Sequence, residues 1–200
     1  MKSVLFSFLV ATAASVTIVP KSEAGSTPTD VKLISVSYSG NGCTEGTVRS
    51  DISANYTTLT FGFDAFQAPT GPGINSSDSG CNLRVRMEYT AGYQYAVESF
   101  TWSGFAKLDE SASLNLWAGT YFPYGGARMV TKSVEITGGG IWVDGIVYTK
   151  EERVPTSELL FAPCGSASVA NITSRIMFRG NGAGATDNKR LQLNIYWREC

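Results

Sequence analysis

Apolar residues recur with period two along almost the whole chain, and that pattern commits it to sheets. Leu83, Val85, Met87 and Tyr89 alternate with Arg84, Arg86 and Glu88, as in a strand with one face on a core and the other in water. Leu191, Leu193, Ile195 and Trp197 alternate with Gln192, Asn194, Tyr196 and Arg198, and Leu59, Phe61 and Phe63 with Thr58, Thr60, Gly62 and Asp64. Further strands are expected over 31–38, 93–101, 113–117, 129–136, 141–148, 158–161 and 169–178. Turn-forming clusters punctuate them: residues 69–73, Gly125-Gly126, Gly138-Gly139-Gly140 and residues 180–184. No amphipathic stretch of about ten residues supports a helix, and Asp109-Glu110-Ser111-Ala112 suits a single turn. The expectation is an all-β protein, an antiparallel β-sandwich of about eight to ten strands.

The start of the chain is of another kind. Met1-Lys2-Ser3 is followed by a mostly apolar run from Val4 to Val19, and Ser22-Glu23-Ala24 offers small residues where a signal peptidase reads. Residues 1–24 are therefore expected to be a secretory signal peptide, and 25–200 a single secreted domain. Thr12, Ser15 and Thr17 interrupt the run, which is short for a stable membrane span. A remainder of this size buries roughly 70% of its extended surface and does not need cross-links merely to fold.

Its four cysteines, Cys43, Cys81, Cys164 and Cys200, all lie in that remainder, and an even number in a secreted chain implies two disulfides. Three pairings are open, and the sequence does not choose among them. The pairing of neighbours, Cys43 with Cys81 and Cys164 with Cys200, is preferred. Each would close a loop worth about 4 kcal/mol in the chain-entropy model. A four-cysteine zinc site would need closely spaced ligand pairs, which are absent, so no metal is expected. Asn55, Asn75 and Asn171 each begin an Asn-x-Ser/Thr triplet, the glycosylation acceptor pattern of a secreted glycoprotein.

The cysteines also sit in an ordered series of local contexts. Gly40-Asn-Gly-Cys43-Thr-Glu-Gly-Thr-Val48 comes first, then Leu59-Thr-Phe-Gly-Phe-Asp64-Ala-Phe66 and Gly71-Pro72. Cys81-Asn-Leu leads into Tyr89-Thr-Ala-Gly-Tyr93 and Trp102-Ser-Gly-Phe-Ala-Lys-Leu108, and Pro163-Cys164-Gly165 and Trp197-Arg-Glu-Cys200 complete it. Over about residues 31–200 this resembles the small secreted fungal and bacterial proteins grouped as domain of unknown function 4360. The resemblance implies a secreted, disulfide-bonded β fold and supplies no catalytic residues.

Composition narrows the chemistry. The chain has no histidine, which removes Ser-His-Asp and Cys-His nucleophile systems and His-ligated metal sites. The formal net charge is −1 and becomes −2 once Lys2, Lys21 and Glu23 leave with the leader, two cations and one anion. With no basic run, nucleic acid is not an expected partner. No catalytic residue and no cofactor is assigned. A carboxylate pair remains as the alternative, a small polysaccharide hydrolase drawing on Asp64, Glu98, Asp109, Glu110 or Asp144, although each of these acids also suits a turn or a strand end. A membrane-active hairpin over 129–148 is opposed by Lys132, Glu135 and Asp144.

Aromatic side chains offer a second route to sugar. Trp102, Trp117, Trp142 and Trp197 with Tyr93, Tyr95, Tyr121 and Tyr124 are candidates for stacking, with core packing as their default. Parity assigns Trp197 to a core, and Tyr121-Phe122-Pro123-Tyr124 reads as a loop whose rings can make contacts. The candidate ligand-contact residues are thus Tyr121, Tyr124, Asp64 and Asp109. The function expected is that of a secreted, non-catalytic extracellular module, effector-like or wall-associated. Its expected partner is cell-wall polysaccharide or a surface protein of a host or competitor.

Overall fold

The computed structural model describes residues 26–124, 128–180 and 184–200. The expected signal peptide at 1–24 and the Gly125-Gly126 turn lie outside the described residues. Nine strands account for most of the rest, within the expected number: β1 Val31–Ser39, β2 Val48–Ile52, β3 Thr58–Phe63, β4 Ser76–Leu108, β5 Ser113–Tyr121, β6 Val130–Thr137, β7 Ile146–Arg153, β8 Gly165–Arg179 and β9 Gly184–Glu199. Every pairing between them is antiparallel.

One strand organises the sandwich. β4 is 33 residues long, and its two halves have different neighbours. From Ser76 to Glu88 it pairs with β8 on one side and, from Asn82 to Tyr89, with β1 on the other. From Tyr93 to Leu108 it pairs with β9, and from Ser99 to Ala106 with β7. The first sheet therefore runs β1-β4-β8-β5-β6 and the second β7-β4-β9-β3-β2. The change of partner falls at Thr90–Gly92, where Gly92 has φ +87°, a conformation that costs glycine little.

Inward side chains of both sheets form one core. Leu83, Val85, Met87, Leu114, Leu116, Ile172 and Ile176 come from the first sheet, and Leu59, Phe61, Phe100, Trp102, Leu191 and Leu193 from the second. Beside the crossing of β4, four rings meet edge-on or tilted. Tyr95 lies 5.9 Å from Tyr89, 5.4 Å from Phe122 and 5.0 Å from Trp197 between ring centroids. The polar ends of these rings are satisfied: Ser168 Oγ donates to Tyr95 Oη at 3.0 Å, and Trp197 Nε1 donates to the Tyr56 carbonyl at 2.7 Å. Burial of Tyr95 pushes its phenol pKa well above the ordinary value, so the ring stays neutral.

Both disulfides form with the preferred connectivity, Cys43–Cys81 and Cys164–Cys200. The first is buried in the core and fastens the β1–β2 connection to β4. The second is exposed and joins the residue before β8 to the residue after β9. Tyr93 pairs with both Gly165 and Glu199, so this bond spans the two sheets where β4 passes between them.

Several strand expectations are corrected. Residues 141–148 are not one strand: Gly140–Trp142 is a 3-10 turn and β7 begins at Ile146. Nor do 129–148 form a hairpin, because β6 pairs with β5 in the first sheet and β7 with β4 in the second. Gly139, Gly140 and Gly145 all take positive φ in this connection, and Ile141 stays exposed. Residues 158–161 begin at the end of a 3-10 turn, Thr156–Glu158, and contribute only a single bridge, Phe161 to Ala96. Pro155 and Pro163, which lack N–H donors, bracket them. β2 escaped the sequence reading because Val-Arg-Ser-Asp-Ile is mostly polar, as suits an edge strand.

The unequal burial of the disulfides has a measurable consequence. Dithiothreitol under native conditions, followed by alkylation and mass mapping, is expected to label Cys164 and Cys200 while Cys43 and Cys81 stay oxidised until the protein unfolds. Equal labelling of all four in the folded protein would contradict this arrangement.

Candidate functional site

Strand parity sets what each sheet shows to solvent. In the first sheet the buried residues are Leu83, Val85 and Met87 on β4, Ile172 and Ser174 on β8, and Ala118 and Thr120 on β5. Their neighbours Asn82, Arg84 and Arg86, Asn171, Thr173 and Arg175, and Trp117, Gly119 and Tyr121 therefore face outward.

Register arranges these outward residues into rows across the strands. Ser37 pairs with Arg84, Arg84 with Asn171, and Asn171 with Tyr121. The next row is Ser39, Asn82, Thr173 and Gly119, and the one after brings Gly80 and Arg175 to Trp117. At about 4.8 Å per strand, a four-strand row is about 14 Å wide. The first two rows line a shallow cleft of about 370 Å³, with Ser37, Ser39, Asn82, Arg84, Tyr121, Asn171 and Thr173 on its walls.

The side chains of this platform are held in complementary ways. Thr173 Oγ1 donates to Asn82 Oδ1 at 2.9 Å, which orients the Asn82 amide and leaves its nitrogen as the donor end. Gly119 provides the gap in the second row. A Cβ there would lie 2.9 Å from Met129 Sδ and 3.1 Å from Trp117 Cη2, so the missing side chain is what lets the indole and the thioether close over this position. Arg175 pairs with Asp78 at 2.8 Å and Arg86 with Glu88 at 3.4 Å. Among the described residues, the Arg84 guanidinium and the Tyr121 phenol make no hydrogen bond or ion pair.

The aromatic expectation divides here. Tyr121 is the last residue of β5 and stands half-buried on the platform; Tyr124 lies in the following turn, 72% exposed. Tyr124 borders an adjoining cleft of about 350 Å³ with Arg86 and Val169, so the two tyrosines flank one continuous surface. Trp102, Tyr95 and Trp197 are core residues, whereas Trp117 joins the platform. Trp142 is elsewhere, half-buried with Lys150 Nζ 5.8 Å from its ring centre.

Asp64 and Asp109 do not join the tyrosines. Asp64 follows β3 in the second sheet and is bound by Arg49 Nη2 at 2.9 Å. Asp109 follows the second-sheet half of β4, and its carbonyl accepts from Ala112 N in the turn expected there. Glu110 and Asp144 are exposed in turns, and Glu98 lines a cleft of about 310 Å³ that holds no second carboxylate. Among the described residues, none of these five acids lines the platform cleft. Nor, among those residues, do three or more Cys, Asp or Glu side chains converge as a metal-ligand set.

The acceptor asparagines occupy two kinds of place. Asn55 is exposed in the β2–β3 turn, where Thr57 Oγ1 donates to its Oδ1 at 2.9 Å, and Asn75 is exposed just before β4. Asn171 instead sits mid-strand and half-buried, in the centre of the platform. Sequence reasoning had Arg84 on the solvent side of its strand and Trp117 among the rings available for stacking, but missed Asn82 and Thr173 as site residues. Only strand order brings them beside Tyr121.

Comparison with known proteins gives a family. A family model described as domain of unknown function (DUF4360) matches residues 29–200. A protein of Arthroderma benhamiae described as an uncharacterized secreted protein is 27% identical over 184 residues, covering 86% of this chain and 73% of that one. Among solved structures, the TmCBM61 module in complex with beta-1,4-galactotriose aligns at 13% identity and TM-score 0.29, over 84% of this chain and 91% of its own. The xylan-binding module CBM15 aligns at 12% and TM-score 0.34, over 86% and 99%. At these values the structural likenesses carry no argument about ligand or binding face. Among the described residues, no helix is long and apolar enough to cross a membrane.

Proposed function

This chain belongs to the DUF4360 family, and we propose that it is a secreted, disulfide-stapled module that binds polysaccharide on the outer face of its first sheet. The observation that carries the reading is the row Ser37–Arg84–Asn171–Tyr121 with Asn82, Thr173 and Trp117 beside it. Sugar rings offer apolar faces that stack on aromatic rings and a rim of hydroxyls that both donate and accept. The platform presents aromatic rings at one side, and amides, hydroxyls and a guanidinium within one cleft. These groups stand on paired strands, so they are ordered before a ligand arrives and little entropy is lost on binding.

Secretion is supported by the leader-like start, by two formed disulfides, which persist in oxidising compartments, and by the secreted relative. A wall polysaccharide fits the platform better than a surface protein does, because the shallow cleft sets amides, hydroxyls and a guanidinium beside an aromatic ring, where the centre of a protein interface is depleted of charge. Tyr121→Ala is expected to weaken retention on insoluble wall polysaccharide about tenfold, a loss of about 1.4 kcal/mol, with the thermal midpoint little changed. Thr101→Ala on the second sheet serves as the control. A wild-type protein retained by no polysaccharide, or a Tyr121→Ala protein retained as well as wild type, would overturn the reading.

The platform also sorts the three acceptor asparagines. A glycan on Asn171 would fill the cleft, whereas Asn55 and Asn75 lie on turns away from it. Glycopeptide mapping of protein secreted from a fungal host is expected to find sugar on Asn55 and Asn75 and a bare Asn171. An occupied Asn171 in protein that still binds polysaccharide would count against this placement of the site.

A further inference from the structure

We infer that the platform selects acidic polysaccharide, recognising the carboxylate of a hexuronate through Arg84; this rests on the polysaccharide-binding reading above. The argument begins with where the charges lie along the first sheet. Three arginines face outward around the cleft, and two of them are neutralised by acids at opposite ends of the face: Arg175 by Asp78 and Arg86 by Glu88. Among the described residues, Arg84 stands between these pairs with no acid of its own, and no carboxylate lines the cleft.

Distance keeps it that way. Along β4, Asp78 is six residues from Arg84 and Glu88 is four, about 20 Å and about 13 Å at strand spacing. At those backbone separations each acid is held by another arginine instead, Asp78 by Arg175 and Glu88 by Arg86. The Arg84 charge is thus uncompensated inside a cleft otherwise furnished with hydroxyls and amides. The complementary ligand has many hydroxyls and one planar anion per ring. A guanidinium offers two parallel N–H groups to a carboxylate, a charge-assisted pair roughly twice as strong as a neutral hydrogen bond. Tyr121, two register steps away along the same row, is placed to take the face of the sugar while Arg84 takes its acid.

The bulk charge of the protein sharpens the test. With a formal net charge of −1 for the whole chain, non-specific attraction cannot draw it onto a polyanion, so retention by one reports a local site. Affinity electrophoresis in gels containing polygalacturonate, its fully methyl-esterified form, or neutral glucan separates the possibilities, because esterification removes the charge and keeps the sugar. The expected result is retardation at least tenfold stronger with polygalacturonate than with its ester. Arg84→Ala is expected to abolish that difference while leaving the weaker retention by the ester, and Arg84→Lys to restore part of it. Equal retention by acid and ester, or an Arg84→Ala protein that keeps the preference, overturns the selectivity while leaving polysaccharide binding intact. Retention by sulfated dextran but not by polygalacturonate also overturns it, since the anion would then not be a carboxylate. Retention by none of these, nor by insoluble wall polysaccharide, overturns the reading on which it rests.

Discussion

Everything in this molecule depends on β4 belonging to both sheets. Because one unbroken strand supplies hydrogen-bonding partners to β1 and β8 in its first half and to β7 and β9 in its second, the two sheets cannot slide relative to each other without breaking a ladder. The Tyr89, Tyr95, Phe122 and Trp197 rings fill the space beside the crossing, and the Cys164–Cys200 bond closes it covalently. The outward faces inherit this rigidity. Arg84 and Tyr121 lie on different strands with β8 between them, yet their relative position is fixed by the register of two ladders.

Rigidity of this kind suits recognition of a stiff, repeating ligand. A polysaccharide gains little from a deforming partner and much from groups already spaced to meet it. The construction of the platform follows that logic. Thr173 fixes the Asn82 amide, Gly119 makes room for Trp117 and Met129, and flanking acids hold Arg86 and Arg175. Among the described residues the Arg84 guanidinium and the Tyr121 phenol are left without a hydrogen bond or ion pair, and they are the two groups best suited to the acid and the face of a sugar ring.

Much of the fold was legible in the sequence, and the places where it was not have physical causes. Alternation around Leu83–Tyr89 and Leu191–Trp197 gave strand, face and core side, because each segment keeps one parity between bulges. It failed within β4, where Tyr95 and Val97 point inward on odd positions and Phe100 and Trp102 on even ones. A register shift against β9 between Val97 and Ser99 inserts the extra residue, and no composition signal marks it. The apolar run at 141–148 misled for another reason: glycines in left-handed conformations turn it into a crossover between sheets. The site was legible in part. Tyr121 and Tyr124 stood out as exposed rings, but Asp64 and Asp109 were grouped with them only by residue type, and the structure places both with the second sheet. Arg84 was visibly a solvent-side residue, and nothing in the order of the chain says that Asn171 and Tyr121 will stand beside it. That depends on non-local strand order, which periodicity does not encode.

The central claim is that ligand lies across the outer face of the first sheet. The most direct measurement is a solution NMR titration of labelled protein with a soluble galacturonate oligosaccharide, following backbone amides. The account predicts saturable shifts at Ser37, Asn82, Arg84, Tyr121, Asn171 and Thr173, with Thr60, Thr101 and Gln192 on the opposite face unmoved. Shifts centred on that second face, or on the 141–147 connection, would contradict it.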